Sequence, residues 1–358
     1  MTDSLRRRIL TLPLALFGGP ARSAIAYPDV HNGSALRFPA DEGAHPTYRS
    51  EWWYVTGWLR DADAREIGFQ VTFFRLRPGV AEASDSRFAP RQLLFAHAAV
   101  ADPRLKRLAV DQRAAREGFG LASIGTQRTD VRIGDWSLVQ DGDAFTARIP
   151  GRAFLLDLTF VARAPILLQG DAGVSRKGPD PADSSFYYSR PQLVADGSVV
   201  QDGRRRVVHG VAWLDHEWSS RYLPRGAVGW DWTGINLDDG AALMAFRMRD
   251  ARGDALWAGG AYRDAGGVTR DFTPADIAFV AAQRWRSPRT GIDYPVSLKV
   301  RAGEIELTLE PMFPDQELDA RAGVGTVYWE GAVRAASGGR NVGRGYVELT
   351  GYGEPLRI

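Results

Sequence analysis

From Ile67 to Phe74 the chain alternates, with Ile67, Phe69, Val71 and Phe73 on one side and Gly68, Gln70, Thr72 and Phe74 on the other. A period of two predicts an extended strand, because successive side chains leave opposite faces. The run Glu51 to Leu59 precedes it across the turn Asp61-Ala62-Asp63, so the pair predicts a hairpin. Strand-sized segments recur at Leu93 to Val100, Trp136 to Val139, Ala144 to Ile149, Phe154 to Val161, Phe186 to Leu193 and Val207 to Asp215. Glycines, Asp-Gly pairs and prolines punctuate them. Arg176 to Pro181 holds two prolines and reads as an irregular loop. No long amphipathic helix stands out, and the pattern predicts an all-β protein of two antiparallel barrels or sandwiches.

The order begins again halfway along. Trp230-Asp231-Trp232-Thr233-Gly234 echoes Trp53-Tyr54-Val55-Thr56-Gly57, and a turn at Asp238-Asp239-Gly240 again leads into an apolar strand, Ala241 to Met248. Phe154 to Phe160 has a counterpart in Ile305 to Leu309, Tyr187-Tyr188 in Tyr328-Trp329, and Gly210 to Leu214 in Gly345 to Leu349. A duplicated domain follows, with copies over residues 27–222 and 223–358 after a leader over residues 1–26. This pairing sets Tyr54 against Asp231, and Asp215-His216-Glu217 against Thr350-Gly351-Tyr352. On it, the second barrel does without the acid and histidine cluster of the first.

The leader is expected from Arg6, Arg7 and Arg8, the apolar run Ile9 to Phe17, and the small residues Ser23-Ala24-Ile25-Ala26. It implies a periplasmic or secreted protein exported by the Sec or twin-arginine route, with an uncleaved N-terminal anchor as the alternative. The 358 residues are 44% hydrophobic and 25% charged, which suits folded domains. A net charge of +2 gives no electrostatic case for nucleic acid. With no cysteine, thiol nucleophiles, thiolate zinc sites and iron–sulfur ligation are excluded.

Ionisable and aromatic residues concentrate between His209 and Trp232. In a strand, Leu214, His216 and Trp218 share one face and Asp215 and Glu217 the other, while Asp231 and Thr233 lie opposite Trp230 and Trp232. The resulting alternation leaves no full metal-ligand set on one face, and no cofactor motif is present. No G-x-S-x-G elbow exists for hydrolase chemistry.

Ser50-Glu51-Trp52-Trp53-Tyr54-Val55-Thr56-Gly57, Lys177 to Pro181, Tyr187 to Pro191, Ala212 to Trp218 and Gly229-Trp230-Asp231-Trp232 together resemble the AttH-like family. That family takes in carotenoid hydratase (hydroxyneurosporene synthase) and many exported proteins labelled predicted secreted hydrolases. The resemblance covers nearly all of the chain after the leader. It implies two tandem lipocalin-like antiparallel β-barrels with a hydrophobic ligand site near or between them. Of the hydratases' His-x-Trp and Tyr-x-Asp pairs, His216-x-Trp218 matches the first and Asp231 the acid of the second, while Gly229 stands at the tyrosine position.

Adding water to a carbon–carbon double bond needs a proton donor, a cation stabiliser and a group that takes a proton from water. Asp231 fits the donor, Trp218 the stabiliser and His216 the base, with Trp230, Trp232, Glu51, Trp53, Tyr54 and Trp213 as ligand-binding candidates. The alternative is structural: Asp231 and His216 as a buried hydrogen-bonded pair where the barrels meet, Tyr54 packing a barrel mouth, His97 a satisfied core histidine, and Arg75 and Arg190 either reaching inward or solvated. The expected partner is a hydrophobic small molecule, isoprenoid or fatty. A non-catalytic lipid carrier serving an envelope ABC transporter is the competing function.

Overall fold

The computed structural model describes residues 25–356 apart from Ala81, Ala322 and Val324, so the expected leader lies almost wholly outside the described residues. Two antiparallel sheets account for nearly all of the regular structure. The first runs from Arg107–Arg116 through Leu93–Asp102, Glu66–Leu76, Ser50–Asp61, Arg204–Arg221 and Ser184–Gln201 to Phe154–Val161 and on to Ala122–Ile124. The second runs from Thr269–Phe272 through Ala255–Arg263, Ala242–Arg249, Gly229–Leu237, Arg340–Leu349 and Val327–Ser337 to Ile277–Arg286. Each curls into a lipocalin-like barrel whose first strand pairs with its last long strand. Helical structure among the described residues is limited to short 3-10 turns at Ala40–Glu42 and Pro274–Asp276.

Burial follows each strand's neighbours. Ala144–Pro150 alternates buried and exposed, because one face meets the core and the other water. Ser50–Asp61 is buried on both faces. Its inward set, including Trp53 and Val55, packs with Phe69, Phe73 and Leu214 inside the first barrel. Its outward set, Tyr54 and Trp58, packs with Trp213, Trp232, Phe246 and Tyr346 of a third core lying between the barrels. The second barrel closes on Ile235, Leu298, Trp329 and Val347. Each large side chain so buried contributes about 1.5–3 kcal/mol. Both lumens are filled largely by apolar side chains.

Strand register corrects the repeat alignment. Inside the first barrel Glu51 stands directly opposite Arg75, and their side chains meet with Nε 2.8 Å from Oε2. Inside the second, Asp231 stands directly opposite Arg247, which donates from Nε at 2.7 Å. Superposing these pairs matches Glu51 to Asp231 and Trp52 to Trp232. Tyr54 cannot match Asp231, since Tyr54 points out of its barrel and Asp231 into its own. Glu217 lies opposite Trp52 and Glu348 opposite Trp232, so those two acids are counterparts. His216 then corresponds to Val347 and Asp215 to Tyr346. The second barrel therefore keeps one acid of the cluster and loses the histidine.

Asp231 is fully buried and accepts from Arg247, from Arg249 Nε at 2.8 Å and from the Tyr352 hydroxyl at 3.0 Å. Removing one partner of a buried ion pair leaves the other charge uncompensated, at a cost of about 3–5 kcal/mol. Asp231→Asn is therefore expected to lower unfolding stability in urea by about that amount. A change of under about 1 kcal/mol would show that Asp231 is not the second barrel's charge anchor.

Candidate active site between the barrels

His216 lies inside the first barrel, away from Asp231. Its Nε2 sits 2.9 Å from Glu51 Oε1 and its Nδ1 3.1 Å from the Tyr188 hydroxyl, with the ring stacked 4.9 Å from that of Trp53. His45 from the lead-in segment places Nδ1 2.9 Å from the same Glu51 oxygen and stacks on Trp218 at 3.7 Å. Burial alone would raise the Glu51 carboxyl. Hydrogen bonds from His216 and His45, with the Arg75 guanidinium, override that and hold it far below the usual range. Burial lowers His216, whereas His45 is raised because its bonds to Asp41 and Glu51 outweigh its burial. His45, Glu51 and His216 bring three potential ligand atoms within 4.8 Å of one another, a juxtaposition of two distant stretches of the chain that strand periodicity does not reveal. Oε1 already faces both imidazoles and Oε2 takes Arg75, so this is a satisfied hydrogen-bond cluster.

The predicted Asp231–His216 pair does not form, since each side chain occupies the interior of a different barrel. Asp231 is held by two arginines inside the second barrel and does not line the cavity between the barrels. Both arginines in question reach inward, Arg75 to Glu51 and Arg190 to Glu42. Gly229 has a structural reason: a Cβ there would lie 2.4 Å from the Thr350 carbonyl oxygen, so no tyrosine fits.

A cavity of about 1230 Å³ opens between the barrels. Glu51, Tyr54, Trp230 and Trp232 of the expected set line it, while His216, Trp218, Asp231, Trp53 and Trp213 do not. Four acids that strand parity turns outward from the barrels line it too: Asp215 and Glu217 from the first, Glu330 and Glu348 from the second. The signal for the last two was an acid inside an apolar run, in Tyr328-Trp329-Glu330 and Val347-Glu348-Leu349. Asp215 and Glu217 were legible as the face opposite His216; their importance was not.

Each acid has its own surroundings. Asp215 accepts from Ser189 Oγ at 2.5 Å, Trp213 Nε1 at 2.7 Å and the Tyr187 hydroxyl at 2.8 Å, which in turn accepts from Trp232 Nε1 at 2.9 Å. Burial outweighs these donors and raises its pKa to about 7. Glu217 pairs with Lys177 Nζ at 2.8 Å, and that ammonium lies over the rings of Phe246, Tyr187 and Tyr222 at 4.4, 4.7 and 5.5 Å. Burial pushes both toward their neutral forms, raising Glu217 and lowering Lys177.

Glu330 and Glu348 stand directly opposite each other on adjacent strands. Their Cβ atoms are thus about 4.5–5.5 Å apart. Trp230 Nε1 donates to Glu348 Oε2 at 3.0 Å. Burial raises Glu348 to about 7, and burial plus the neighbouring Glu348 raises Glu330 further. Glu330, Tyr54 and Thr72 line the cavity, and Glu330 Oε1, the Tyr54 hydroxyl and Thr72 Oγ1 are buried without a well-formed hydrogen bond among the described residues, although Tyr54 and Tyr328 lie near enough to Glu330 to lower its carboxyl against the effect of burial. Each such buried group costs about 1–3 kcal/mol until something pairs with it. Beside them the Tyr328 hydroxyl lies 2.8 Å from Nδ1 of His97, which burial lowers to about 4. His97 is therefore a neutral acceptor reaching across the barrels, with Nε2 unpartnered among the described residues, and not a fully satisfied core histidine.

Two barrels set back to back around an acid-lined cavity define a tandem lipocalin-like β-barrel protein. The AttH-like family matches residues 29–352, and the chain belongs to that family. It is 47% identical to a protein from Nitrosomonas europaea provisionally assigned as AttH, whose crystal structure superposes with a TM-score of 0.86 over 91% of this chain and 99% of that one. Kievitone hydratase from Nectria haematococca shares the fold, with a TM-score of 0.68 at 14% identity over 92% and 97% of the two chains. No curated protein matches the chain in sequence.

Asp215 and Glu348 have folded pKa values near 7, above the ordinary 3.8 and 4.5, so the folded state binds more protons than the unfolded chain between those limits. The contributions of Asp215 and Glu348 are therefore expected to fall as pH rises from about 4.5 through 7 and then level off, each by up to about 1.4 kcal/mol per pH unit, while His97 and His216, lowered by burial, act in the opposite sense below about 6.5. Urea unfolding across this window tests it. The stability difference between the parent and Asp215→Asn or Glu348→Gln should change with pH across this window, and a difference that stays constant from about pH 4.5 to 7.5 for both variants would contradict the assignment.

Proposed function

We propose that the cavity between the barrels is the active site of an enzyme that adds water across a carbon–carbon double bond of a hydrophobic, isoprenoid or fatty small molecule. The observation that carries this reading is the facing pair Glu330 and Glu348, buried among aromatic rings with one proton held near neutral pH. Two interacting carboxyls titrate as a unit, so one is a neutral acid while the other is a carboxylate. Kievitone hydratase, of the same fold, supports the reaction class.

Glu330 is the donor. Its carboxylic acid protonates one alkene carbon, forming a carbon–hydrogen bond and leaving a cation on the other carbon. The faces of Trp52, Trp230 and Trp232 line the cavity and stabilise that cation. Water attacks the cation, the carbon–oxygen bond forms, and the Glu348 carboxylate takes the released proton. Transfer of that proton back to Glu330 restores the pair, with no net gain or loss. Asp215, whose oxygens already accept three hydrogen bonds, positions Tyr187 and is poorly placed to donate. Glu51, which lines the cavity but is already bonded to His216, His45 and Arg75, and His216 behind it hold the first barrel's inner wall in shape.

Lipid carriage to an envelope transport system would require the cavity but none of the four acids, whose desolvation costs stability. The enzyme reading uses two of them, Glu330 as donor and Glu348 as base. In this reading the protein works in the periplasm or outside the cell, where the leader would send it.

The test is incubation of lipid extracted from the host envelope with the protein in water enriched in heavy oxygen, followed by mass spectrometry. One heavy oxygen and two hydrogens are expected in a product. Turnover should rise as pH passes about 7, where the base of the pair ionises. Glu330→Gln and Glu348→Gln should each lower it by about 10²–10⁴, and Glu348→Gln should also abolish the rising limb. Undiminished incorporation by Glu330→Gln would refute the donor assignment.

A further inference from the structure

Four of the nine large apolar side chains exposed among the described residues, Val80, Phe88, Phe119 and Leu121, belong to two neighbouring loops. Phe119 occupies the tip Gly118-Phe119-Gly120, where all three residues have positive φ (94°, 57° and 72°). For a bulky aromatic residue that conformation costs about 1–2 kcal/mol. A turn that bears this strain leaves the ring half in solvent, at 50% exposure. Phe88, 68% exposed, stacks on it with centroids 5.0 Å apart. The Arg116 guanidinium lies over both rings, at 4.4 and 5.1 Å, and Arg87 lies 5.7 Å from that of Phe119. Arg91 is exposed on the same loop as Phe88, and the acids on these loops are Glu82, which pairs with Arg77 at 3.0 Å, Asp85 and Glu117.

The patch adjoins the cavity mouth. Arg116 pairs with Leu93, Leu93 with Leu76 and Leu76 with Ser50, so these residues form one row across the sheet. Leu76 and Ser50 line the cavity, and so does Pro78, at the start of the loop that carries Val80 and Phe88. At about 4.8 Å per strand, Arg116 is about 10 Å from the rim.

We propose that this patch docks the protein on a bilayer rich in anionic phospholipid, with Phe88 and Phe119 entering the headgroup layer and Arg87, Arg91 and Arg116 meeting phosphates. Exposed rings capped by guanidinium groups match a surface that is apolar beneath and negative above. Docked this way, the mouth faces the membrane, and a hydrophobic ligand passes from lipid to cavity without crossing water. The proposal takes from the proposed function only that the ligand is hydrophobic. Vesicle binding is measured without turnover, so the two readings fail separately.

The experiment is co-sedimentation of the protein as recovered from the cell, its N terminus established by mass spectrometry, with vesicles of phosphatidylethanolamine and phosphatidylglycerol or of phosphatidylcholine alone. Binding to the anionic vesicles is expected, weakened by about tenfold or more on phosphatidylcholine, in high salt, and in Phe88→Ser/Phe119→Ser. Val207→Ser/Val268→Ser, which alters exposed valines elsewhere, should bind like the parent. All four side chains are exposed, and an unchanged thermal midpoint will show that each variant folds. Absence of binding by the parent, or binding by Phe88→Ser/Phe119→Ser within about twofold of it, overturns the proposal.

Discussion

The structure depends on two sheets burying their outer faces against each other. A lipocalin-like barrel normally turns one side of each strand to water, and here the central strands of both barrels have given that side up. Every polar group on those faces must then find a partner within the protein or bear the cost of desolvation. Lys177 finds three aromatic rings and a carboxylate, and Asp215 three donors. Glu330, Tyr54 and Thr72 each keep a buried polar atom without a well-formed hydrogen bond among the described residues.

Duplication divides the labour. Both barrels solve the problem of an interior charge identically, with a carboxylate opposite an arginine: Glu51 with Arg75 and Asp231 with Arg247. Both also place an acid on the shared face, Glu217 and Glu348. Divergence enters around these fixed points. The first barrel adds His216 and His45 to its anchor, while the second adds Arg249 and Tyr352 to its own. Glu330, matched by Tyr187 in the first barrel, makes the carboxyl pair a property of the second barrel alone.

The all-β fold and its duplication were legible because period-two alternation and turn residues are local signals. The alternation also sorted His216 from Asp215 and Glu217 correctly. It could not say which face mattered, because a face buried in a barrel and a face buried between barrels read alike in one strand. The repeat alignment failed for a related reason. Tryptophans recur on both faces of Ser50–Asp61, so matching Trp53 to Trp230 looked sound although it shifts parity. Only the cross-strand partners, Arg75 and Arg247, fix the register. Asp231 drew attention by lying between two tryptophans, yet those rings face the cavity and the carboxylate faces arginines.

In each barrel the opening strand waits for the closing one: Ser50–Asp61 for Arg204–Arg221, and Gly229–Leu237 for Arg340–Leu349. Such distant pairings form slowly, and domains emerging from a ribosome fold in order from the N terminus. The first barrel can therefore close while the second is still being made. Asp215 and Glu217 already have their partners within the first barrel, Tyr187, Ser189 and Trp213 for one and Lys177 for the other. Glu330 and Glu348 belong to the second, so the cavity gains its facing carboxyl pair only with the last step of assembly.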